Sequence, residues 1–432
     1  MEDQALSQPD DPGAAVREQA IDLFISGRTP TAICRQVKRS RTWFYKTLAR
    51  YRRGGREGLG SQSRAPKRVH NRTAEDVEAA IVRLRRTITT GADPELRYAN
   101  CGADALASEL QRARITPPHR ATINRILKRR DLVCPRRRKS PKRKLPADYP
   151  WPQVQAPNDL HLLDFVTRSI RGAGRFYSCH LLDQFRRWPF LRAETPKSAE
   201  VVSQFLVHGW QEIGLAGGLY IDNDAVWNGG GRGQRVLSTI VRLCLLVGVE
   251  VIFLPPYTYE ANPVIESFNS LWAENFWGRT EFRDLAHVQA ELPVFEHYCR
   301  HRRPLAEFAG RTAAQIAPDF VPRQLSARFD QHQQERLPIT VGKVHFIRFA
   351  SSAGAFSILN ESWQLDPAHW AGTTIRATID TQKQQLLVYH QPKDSQTCKL
   401  VAQFDYPLGE EVVPLADEFR RERPTFWPPV EE

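Results

Sequence analysis

Three acidic residues lie in or beside predicted strands and helices, at positions where a carboxylate is unusual unless it has a chemical role. Asp164 falls in the strand-like segment LHLLDFV, and the period of two places it on the same side as Leu160, Leu162 and Val166. Burying an ionised carboxylate among such residues is costly unless a cation or a hydrogen-bond donor compensates for the lost solvation. That cost favours a functional role for Asp164.

The other two acids are Asp222 and Glu266. Asp222 ends the short apolar segment LYID, at the exit of a predicted strand, where α/β sheets commonly bind ligands. Glu266 lies about one turn into a predicted helix that Asn262 can cap and that Pro263 can begin. It lies nearly opposite the apolar stripe of that helix, on a face of small and polar residues: Asn262, Asn269, Ser270 and Ala273.

The elements that must position these acids alternate between strand and helix. In order, they are strands over 160–166, 175–183 and 188–194, a helix over about 198–213, a strand ending at Asp222, a helix, a strand and the Glu266 helix. This order predicts an α/β domain with a mixed sheet over residues 158–322. Within it, Asp183 and Asp224 are interpreted as turn or supporting carboxylates, and His161 and His180 as core residues.

The first third of the chain is strongly basic. The 432 residues carry a formal charge of +13, yet residues 1–150 hold 33 basic and 16 acidic side chains, and the remainder holds 28 and 32. A basic region attached to a mildly acidic body favours a polyanionic partner, most simply nucleic acid. The length itself predicts two to four domains.

Residues 13–56, after a flexible segment over 1–12, predict a helix-turn-helix unit of three short helices. The third helix, RTWFYKTLARY, carries several basic residues, and a recognition helix of this kind enters the DNA major groove. We therefore expect DNA contacts from Arg41, Thr42, Trp43, Tyr45, Lys46 and Arg50. The alternative is a basic three-helix bundle that binds nothing.

Residues 74–134 predict a second helix-turn-helix unit, after a Gly-, Ser- and Arg-rich linker over 57–73. Its third helix has a basic exposed side, and the expected DNA contacts are Arg120, Thr122, Asn124, Arg125 and Lys128. Packing of this unit against the first is the alternative. A basic, proline-rich linker over 135–157 adds expected phosphate contacts from Arg136, Arg137, Arg138, Lys142 and Arg143.

The C-terminal part of the chain has a different pattern. Short alternating segments recur over 336–405, and their regular spacing predicts a small β-barrel. The barrel either stabilises the chain or contacts DNA or a neighbouring subunit through Lys343, His345, Arg348 and Arg376. Residues 406–432 are rich in proline and acidic residues, and we expect a flexible tail there.

Cysteine usage and hydropathy limit the class of protein. The seven cysteines stand singly and form no CxxC pair, which argues against a zinc site or a disulfide framework and favours a reducing compartment. No uncharged run reaches the length of a membrane span, and the N-terminus lacks the apolar segment of a signal peptide. A soluble cytoplasmic protein is therefore expected.

The order of elements, the three acids and their flanks resemble the DDE transposase and integrase superfamily, whose catalytic domain has the ribonuclease H-like fold. Asp164 in HLLDF, Asp222 in YIDND and Glu266 in NPVIESFNSLW match the two aspartates and the glutamate of that family. The 43 residues between Asp222 and Glu266 form a longer interval than is common, and Pro263 and Ser267 replace the usual glycine and arginine. Among the subgroups, the chain is most similar to bacterial insertion-sequence transposases with tandem N-terminal helix-turn-helix units.

The resemblance implies a DNA transposase that binds the ends of its element, cuts the 3′ strands and joins them to target DNA. It implies two Mg²⁺ ions, for which Mn²⁺ can substitute, with Asp164 bridging both and Asp222 and Glu266 each completing one side. The implied partner is double-stranded DNA, at both the element ends and the target. A homodimer or larger assembly, associated with the bacterial nucleoid, is implied because two ends must be handled together.

Two other functions remain open at this point. A transposase-derived, sequence-specific DNA-binding regulator without catalytic activity would bind DNA and not cut it. A ribonuclease H-type nuclease would cleave RNA–DNA hybrids, and it would leave the two helix-turn-helix units without a role.

Overall fold

The computed structural model describes residues 12–61, 72–133, 144–228, 233–331, 336–420 and 426–431. The helices are α1 Pro12–Ile25, α2 Pro30–Gln36, α3 Arg41–Gly54, α4 Glu75–Thr90, α5 Ala103–Arg112, α6 Arg120–Arg129, α7 Ala199–Glu212, α8 Ala225–Asn228, α9 Thr239–Leu246, α10 Pro263–Leu271, α11 Leu285–His297, α12 Ala313–Ile316 and α13 Pro367–Trp370. The strands are β1 Leu160–Ile170, β2 Gly174–Asp183, β3 Trp188–Glu194, β4 Gly218–Ile221, β5 Glu250–Phe253, β6 Ile339–Thr340, β7 Lys343–Phe349, β8 Ala355–Ile358, β9 Glu361–Gln364, β10 Thr374–Asp380, β11 Gln385–His390, β12 Lys399–Asp405 and β13 Val412–Val413. None of the helices in these ranges is long and apolar enough to cross a membrane.

The chain forms two compact units, and the first, Met1–Arg72, is a bundle of α1, α2 and α3. Its core contains Ile33 and Phe44, both fully buried. The hydroxyl of Ser40 accepts the backbone N–H of Trp43 at 3.2 Å and so begins α3. Leu59 is also fully buried in this core, so the fold extends past residue 56 into the segment predicted as a linker. The predicted helical N-terminal unit is confirmed.

The second unit, Thr73–Glu432, contains a nine-stranded sheet in the order β12-β11-β10-β7-β5-β4-β1-β2-β3. β1, β2 and β3 are antiparallel, whereas β4 runs parallel to both β1 and β5. Residues of α7 and α9 share one hydrophobic core with the sheet, and residues of α10 and α11 share another. The predicted order of strands and helices and the mixed sheet are therefore confirmed.

The strands of 336–405 do not form the predicted barrel within the described ranges. β7 pairs in parallel with β5, and β10, β11 and β12 continue the same sheet. The rings of Phe253 and Phe346 stack across the β5–β7 junction with their centroids 4.8 Å apart. The physical reason is that β5, apolar on both faces, would otherwise leave its backbone groups at an open edge. The predicted barrel is thus wrong.

The basic residues expected on the barrel surface are mostly inside the protein. His345, Arg348 and Arg376 are all less than a tenth exposed, and only Lys343 is on the surface. The guanidinium of Arg376 lies between the rings of Tyr389 and Trp427, 4.2 Å and 4.5 Å from their centroids. Buried in this way, these three side chains are not positioned to contact DNA, and that expectation is wrong for them.

The expected flexible tail, 406–432, is packed where it is described. Tyr406 and Leu408 join the core that α7 and α9 share with the sheet, and Phe426 and Trp427 join the core that α10 and α11 share with it. Proline and acidic content predicted flexibility, but the buried aromatic residues between the prolines supply enough apolar surface to hold the segment in place.

The second helical unit, α4 to α6, packs against the residues that follow α10 and against α11. The hydroxyl of Tyr98 donates to Glu291 Oε2 at 2.6 Å, and the backbone N–H of Asn100 donates to the hydroxyl of Tyr298 at 2.8 Å. The Tyr98 ring also lies 5.2 Å from that of Phe276. Ile123, Ile126 and Leu127 of α6 belong to the same hydrophobic core as residues of α10 and α11, so α6 is held against that side of the sheet.

Of the predicted linker over 135–157, the structure describes residues 144–157. Residues 134–143 lie outside the described ranges, and with them the expected contacts Arg136, Arg137, Arg138, Lys142 and Arg143. Further on, the hydroxyls of Tyr149 and Tyr220 lie 2.8 Å apart in a buried hydrogen bond, and Asp148 accepts the backbone N–H of Thr374 at 3.0 Å. Residues 144–157 are therefore attached to the core and do not form a free linker.

Candidate active site

Asp164, Asp222 and Glu266 line one cavity of about 370 Å³. Asp164 comes from β1, Asp222 directly follows β4, and Glu266 lies in the first turn of α10. The loops after β4 and β5 supply most of the remaining wall, including Asn223, Asp224 and residues 254–258. Three segments that are far apart in the sequence thus bring their carboxylates to one place.

The register of the sheet explains how the two aspartates meet. β1 and β4 are parallel, with Leu160 opposite Gly218 and Leu162 opposite Tyr220. The same register, continued two residues along, brings Asp164 level with Asp222. β4 ends at Ile221 whereas β1 continues to Ile170, so Asp164 lies within its strand and Asp222 in the loop beside it, and both line the same cavity.

Asp164 lies in an environment that disfavours its charge. Burial raises the pKa of Asp164 to about 6, and the negative charge of Asp222 adds to the rise. Hydrogen bonds from the N–H of Phe165 and from Asn269 Nδ2, both at 2.7 Å, act in the opposite direction. Two carboxylates held close together in this way would both gain from a cation between them.

A chain of hydrogen bonds fixes Asp164 from behind. Asn269, three residues after Glu266 on α10, donates through Nδ2 to Asp164 Oδ2 at 2.7 Å. Its Oδ1 lies 2.6 Å from Nδ1 of the fully buried His180, whose Nε2 lies 2.8 Å from the hydroxyl of Ser178. Since Asn269 Oδ1 can only accept, His180 carries its proton on Nδ1 and accepts from Ser178. The polar face of α10 indicated from the sequence that Asn269 could form hydrogen bonds there, but the sequence did not predict that its partner would be Asp164 on β1.

His180 is expected to stay neutral across the physiological pH range. Burial lowers the pKa of His180 from 6.5 to about 4, so the unfolded chain takes up a proton before the folded one does. The free energy of unfolding therefore falls as the pH drops through this window. Imidazole ¹⁵N shifts should report one neutral tautomer, protonated on Nδ1, down to about pH 5. A charged ring at pH 6 would contradict the assignment.

Asp222 is held by the residues that follow it. Trp227 Nε1 donates to Asp222 Oδ1 at 2.7 Å, and the backbone N–H of Asp224 donates to the same oxygen at 3.1 Å. Asp224 itself forms an ion pair with Lys197, whose ammonium lies 4.4 Å from the centroid of the Phe165 ring. These contacts agree with the interpretation of Asp224 as a supporting carboxylate. Neither Lys197 nor Trp227 was identified from the sequence, because their contacts depend on the fold.

Glu266 and its helix differ from expectation in one detail. Pro263 begins α10, as predicted, but the side chain of Asn262 makes no capping hydrogen bond and lines the cavity instead. Glu266 is partly exposed to the cavity. Within the described part of the chain, no three His, Cys, Asp or Glu side chains are grouped so that they could hold a metal ion.

The other polar candidates in the core have structural roles. Asp183 is fully buried and pairs with Arg186 at 2.7 Å, and burial raises the pKa of its carboxyl. His161 lies 3.0 Å from Asn158 Oδ1 and is fully buried. Both interpretations made from the sequence therefore agree with the structure.

The expected DNA contacts of α3 divide into two groups. Arg41, Thr42, Tyr45 and Lys46 are exposed, and Trp43 is partly buried. Arg50 differs, because its Nε donates to the carbonyl oxygen of Gly58 at 3.0 Å and a second bond reaches Gly60 O. Arg50 therefore links α3 to the turn that follows it.

On α6, four of the expected contacts are exposed and Thr122 is partly buried; the four are Arg120, Asn124, Arg125 and Lys128. Arg120 lies 3.4 Å from Asp104 in a solvent-exposed ion pair. Such a pair is weak in water and can be exchanged for a phosphate. The basic face of α6 is thus open, while the opposite side of the helix, with Ile123, Ile126 and Leu127, is buried.

Comparison with known proteins gives one sequence match and several structural ones. A family model for a homeodomain-like domain matches residues 11–60. No curated protein matches the chain in sequence. A simian T-cell lymphotropic virus intasome, solved in complex with PP2A regulatory subunit B56 gamma, is similar at 13% identity and a TM-score of 0.35, over 74% of this chain and 97% of that one.

Two integrase catalytic cores are also similar to part of the chain. The HTLV-2 core in complex with magnesium shares 11% identity at a TM-score of 0.29, and the BIV core shares 16% at 0.28. Each covers 37% of this chain, with 96% and 93% of the integrase core matched. For this chain, the comparisons show a homeodomain-like domain over residues 11–60.

Proposed function

We propose that the chain is a DNA transposase, a DDE-type polynucleotidyl transferase that binds the ends of its element, cuts the 3′ strands and joins them to target DNA. The observation that carries this proposal is the cavity that Asp164, Asp222 and Glu266 share, although each comes from a different element. An enzyme of this kind needs carboxylates gathered at one place on a mixed sheet, in a chain that also carries a homeodomain-like domain.

The donor set in the cavity fits a hard divalent cation. Carboxylate oxygens suit Mg²⁺, and Mn²⁺ accepts the same ligands, so Asp164, Asp222 and Glu266 would hold the ions. When bound, a pair of such ions stabilises the attacking and leaving oxygens of a phosphodiester. The chain itself orients the ligands, because Asn269 holds one Asp164 oxygen and Trp227 holds one Asp222 oxygen. The three carboxylates would have to draw closer together as the ions bind.

The exposed basic faces of α3 and α6 would bind double-stranded DNA. Their docking in a major groove would be driven largely by phosphate contacts, with base contacts supplying sequence preference. Since α6 shares a hydrophobic core with α10 and α11, the DNA that it holds would lie at a set distance from the cavity. Two ends must be joined together, so a homodimer or larger assembly on bacterial DNA is part of the proposal.

The proposal is tested with the full chain and the DNA that flanks its gene, including any terminal inverted repeats. Mg²⁺-dependent nicking at the repeat end, followed by joining to a second DNA, is the expected result. Glu266→Gln should lower the nicking rate by about 10³-fold, since losing a metal ligand removes several kcal/mol of transition-state stabilisation. Its affinity for the same DNA should stay within about 2-fold, because Glu266 lies in the cavity and not on the basic faces of α3 or α6.

Glu281→Gln, an exposed carboxylate outside the cavity, is the matched control and should cut normally. DNA binding by the wild-type chain without any cutting, at every Mg²⁺ or Mn²⁺ concentration, would favour the regulator instead. Preferential cleavage of RNA–DNA hybrids would favour the nuclease.

A further inference from the structure

Arg348 is a buried arginine that lies beside one wall of the candidate active site. It belongs to β7, in the C-terminal extension of the sheet, and the residue is 8% exposed. Burial lowers the pKa of Arg348 to about 10, so the side chain still carries a positive charge at neutral pH. A buried charge of this kind persists only where its surroundings compensate for the lost solvation.

The hydrogen bonds of Arg348 connect the two loops that form the cavity wall. Nη2 donates to Asn223 Oδ1 at 2.9 Å, between Asp222 and Asp224, and Nη1 donates to Leu254 O at 3.0 Å, at the end of β5. Asn223 Nδ2 donates to the same Leu254 oxygen. The loop after β4 and the loop after β5 are thus joined through one guanidinium.

Two further bonds hold the guanidinium itself in place. Nε donates to Ser357 O at 3.0 Å and Nη1 also donates to Ile347 O at 2.8 Å. The guanidinium carbon of Arg348 lies 5.1 Å from the centroid of the Phe346 ring. The four hydrogen-bond acceptors of the guanidinium are thus neutral oxygens: three backbone carbonyls and the side-chain amide of Asn223.

We propose that Arg348 is a positioning residue for Asp222: it holds Asn223 and Leu254 so that the carboxylate after β4 is presented to the cavity in one orientation. The C-terminal extension would then be a working part of the active site, and not a separate module. This inference rests on the proposed function, because it assumes that Asp222 takes part in metal-dependent chemistry. Its structural basis, the bridge between the two loops, does not depend on that function.

The chain offers a matched control for this residue. Arg376 is also a buried arginine of the sheet extension, 6% exposed, but it stacks on Tyr389 and Trp427. Within the described residues its hydrogen bonds go to Thr378 and Cys398 and not to either cavity loop. Arg348→Lys and Arg376→Lys both keep the charge and lose the fork of donors that a guanidinium provides. A merely stabilising role for Arg348 predicts that the two variants behave alike.

The test compares the wild-type chain with these two variants in three measurements. For Arg348→Lys we expect faster hydrogen exchange in residues 222–224, an Mn²⁺ dissociation constant raised about 10-fold by electron paramagnetic resonance, and a lower kcat with KM for DNA within about 2-fold. Arg376→Lys should change none of the three, whatever its effect on Tm. Equal changes in both variants, or no change in Arg348→Lys, would overturn the inference.

A further variant tests the same contact if Arg348→Lys fails to fold. Asn223→Ala removes the partner of Arg348 and leaves the arginine in place, so it should reproduce the rise in the Mn²⁺ dissociation constant. In the double variant, Asn223→Ala should raise the Mn²⁺ dissociation constant little beyond the effect of Arg348→Lys alone, because both changes break the same hydrogen bond. Fully additive effects would contradict the bridge. If the wild-type chain cuts DNA and Arg348→Lys behaves in the same way, only this inference is overturned. If the wild-type chain neither binds Mn²⁺ nor cuts DNA, the proposed function is overturned.

Discussion

Asp164→Asn is expected to abolish Mg²⁺-dependent cleavage and strand transfer, by about 10³-fold or more, while DNA affinity stays unchanged. Asparagine keeps the size of the side chain and can still accept from Asn269, but it loses the charge that would hold a cation shared with Asp222. The DNA-binding surfaces proposed on α3 and α6 are untouched by this change. Cleavage and strand transfer are measured on end-labelled DNA, and binding on the same DNA without metal.

The stability of this variant separates a chemical effect from a folding effect. Burial raises the pKa of Asp164 from 3.8 to about 6, so the folded state keeps a proton that the unfolded state releases between these values. The free energy of unfolding contributed by this group therefore falls as the pH rises through that window. Asp164→Asn should consequently be at least as stable as the wild type at pH 7. Asp319→Asn, an exposed aspartate, is the control, and activity in Asp164→Asn near the wild-type level would end the enzyme hypothesis.

Reversing two charges on α3, with Arg41→Glu and Lys46→Glu together, is expected to weaken DNA binding by about 100-fold or more at low salt. Both side chains are exposed on the proposed recognition helix, and each replacement turns an attraction to phosphate into a repulsion. The slope of log affinity against log salt concentration should fall by about 2, since each lost phosphate contact releases about one counterion fewer. Fluorescence anisotropy across a salt series measures both quantities.

Arg50→Ala provides a contrasting variant on the same helix. The guanidinium of Arg50 is bonded to the carbonyl oxygens of Gly58 and Gly60, so its loss should lower the Tm of the first unit and leave the salt slope unchanged. A salt slope that is unaffected by the double charge reversal would show that α3 does not carry the DNA contact. The unit would then be the basic three-helix bundle that the sequence leaves as the alternative.

The strands and helices of the core could be predicted because each is marked by a pattern within its own short segment of sequence. Alternation in LHLLDFV and in the next two segments identifies β1, β2 and β3, and the helical period of NPVIESFNSLW identifies α10. The convergence of Asp164 and Asp222 follows from parallel pairing of β1 with β4, which an order of strand, helix, strand predicts. The three acids could therefore be chosen before any coordinates.

What the sequence did not predict depends on contacts between distant segments. Alternation marks Val344 and Phe346 as strand residues but does not say that their partner is β5, and the barrel was inferred from spacing alone. Arg348 was assigned to a surface for the same reason, although it lies beside Asn223, 125 residues earlier. The packing of 144–157 and of the C-terminal segment against the sheet likewise depends on buried aromatic residues whose targets are remote, such as Tyr149 on Tyr220.

The central claim is that Asp164, Asp222 and Glu266 hold divalent cations together. Anomalous diffraction from wild-type crystals soaked in Mn²⁺ tests it most directly. We predict a peak in the cavity within bonding distance of oxygens from all three residues, and its loss from crystals of Asp164→Asn. A cavity without any anomalous peak at saturating Mn²⁺, or a peak that touches none of the three carboxylates, would contradict the account.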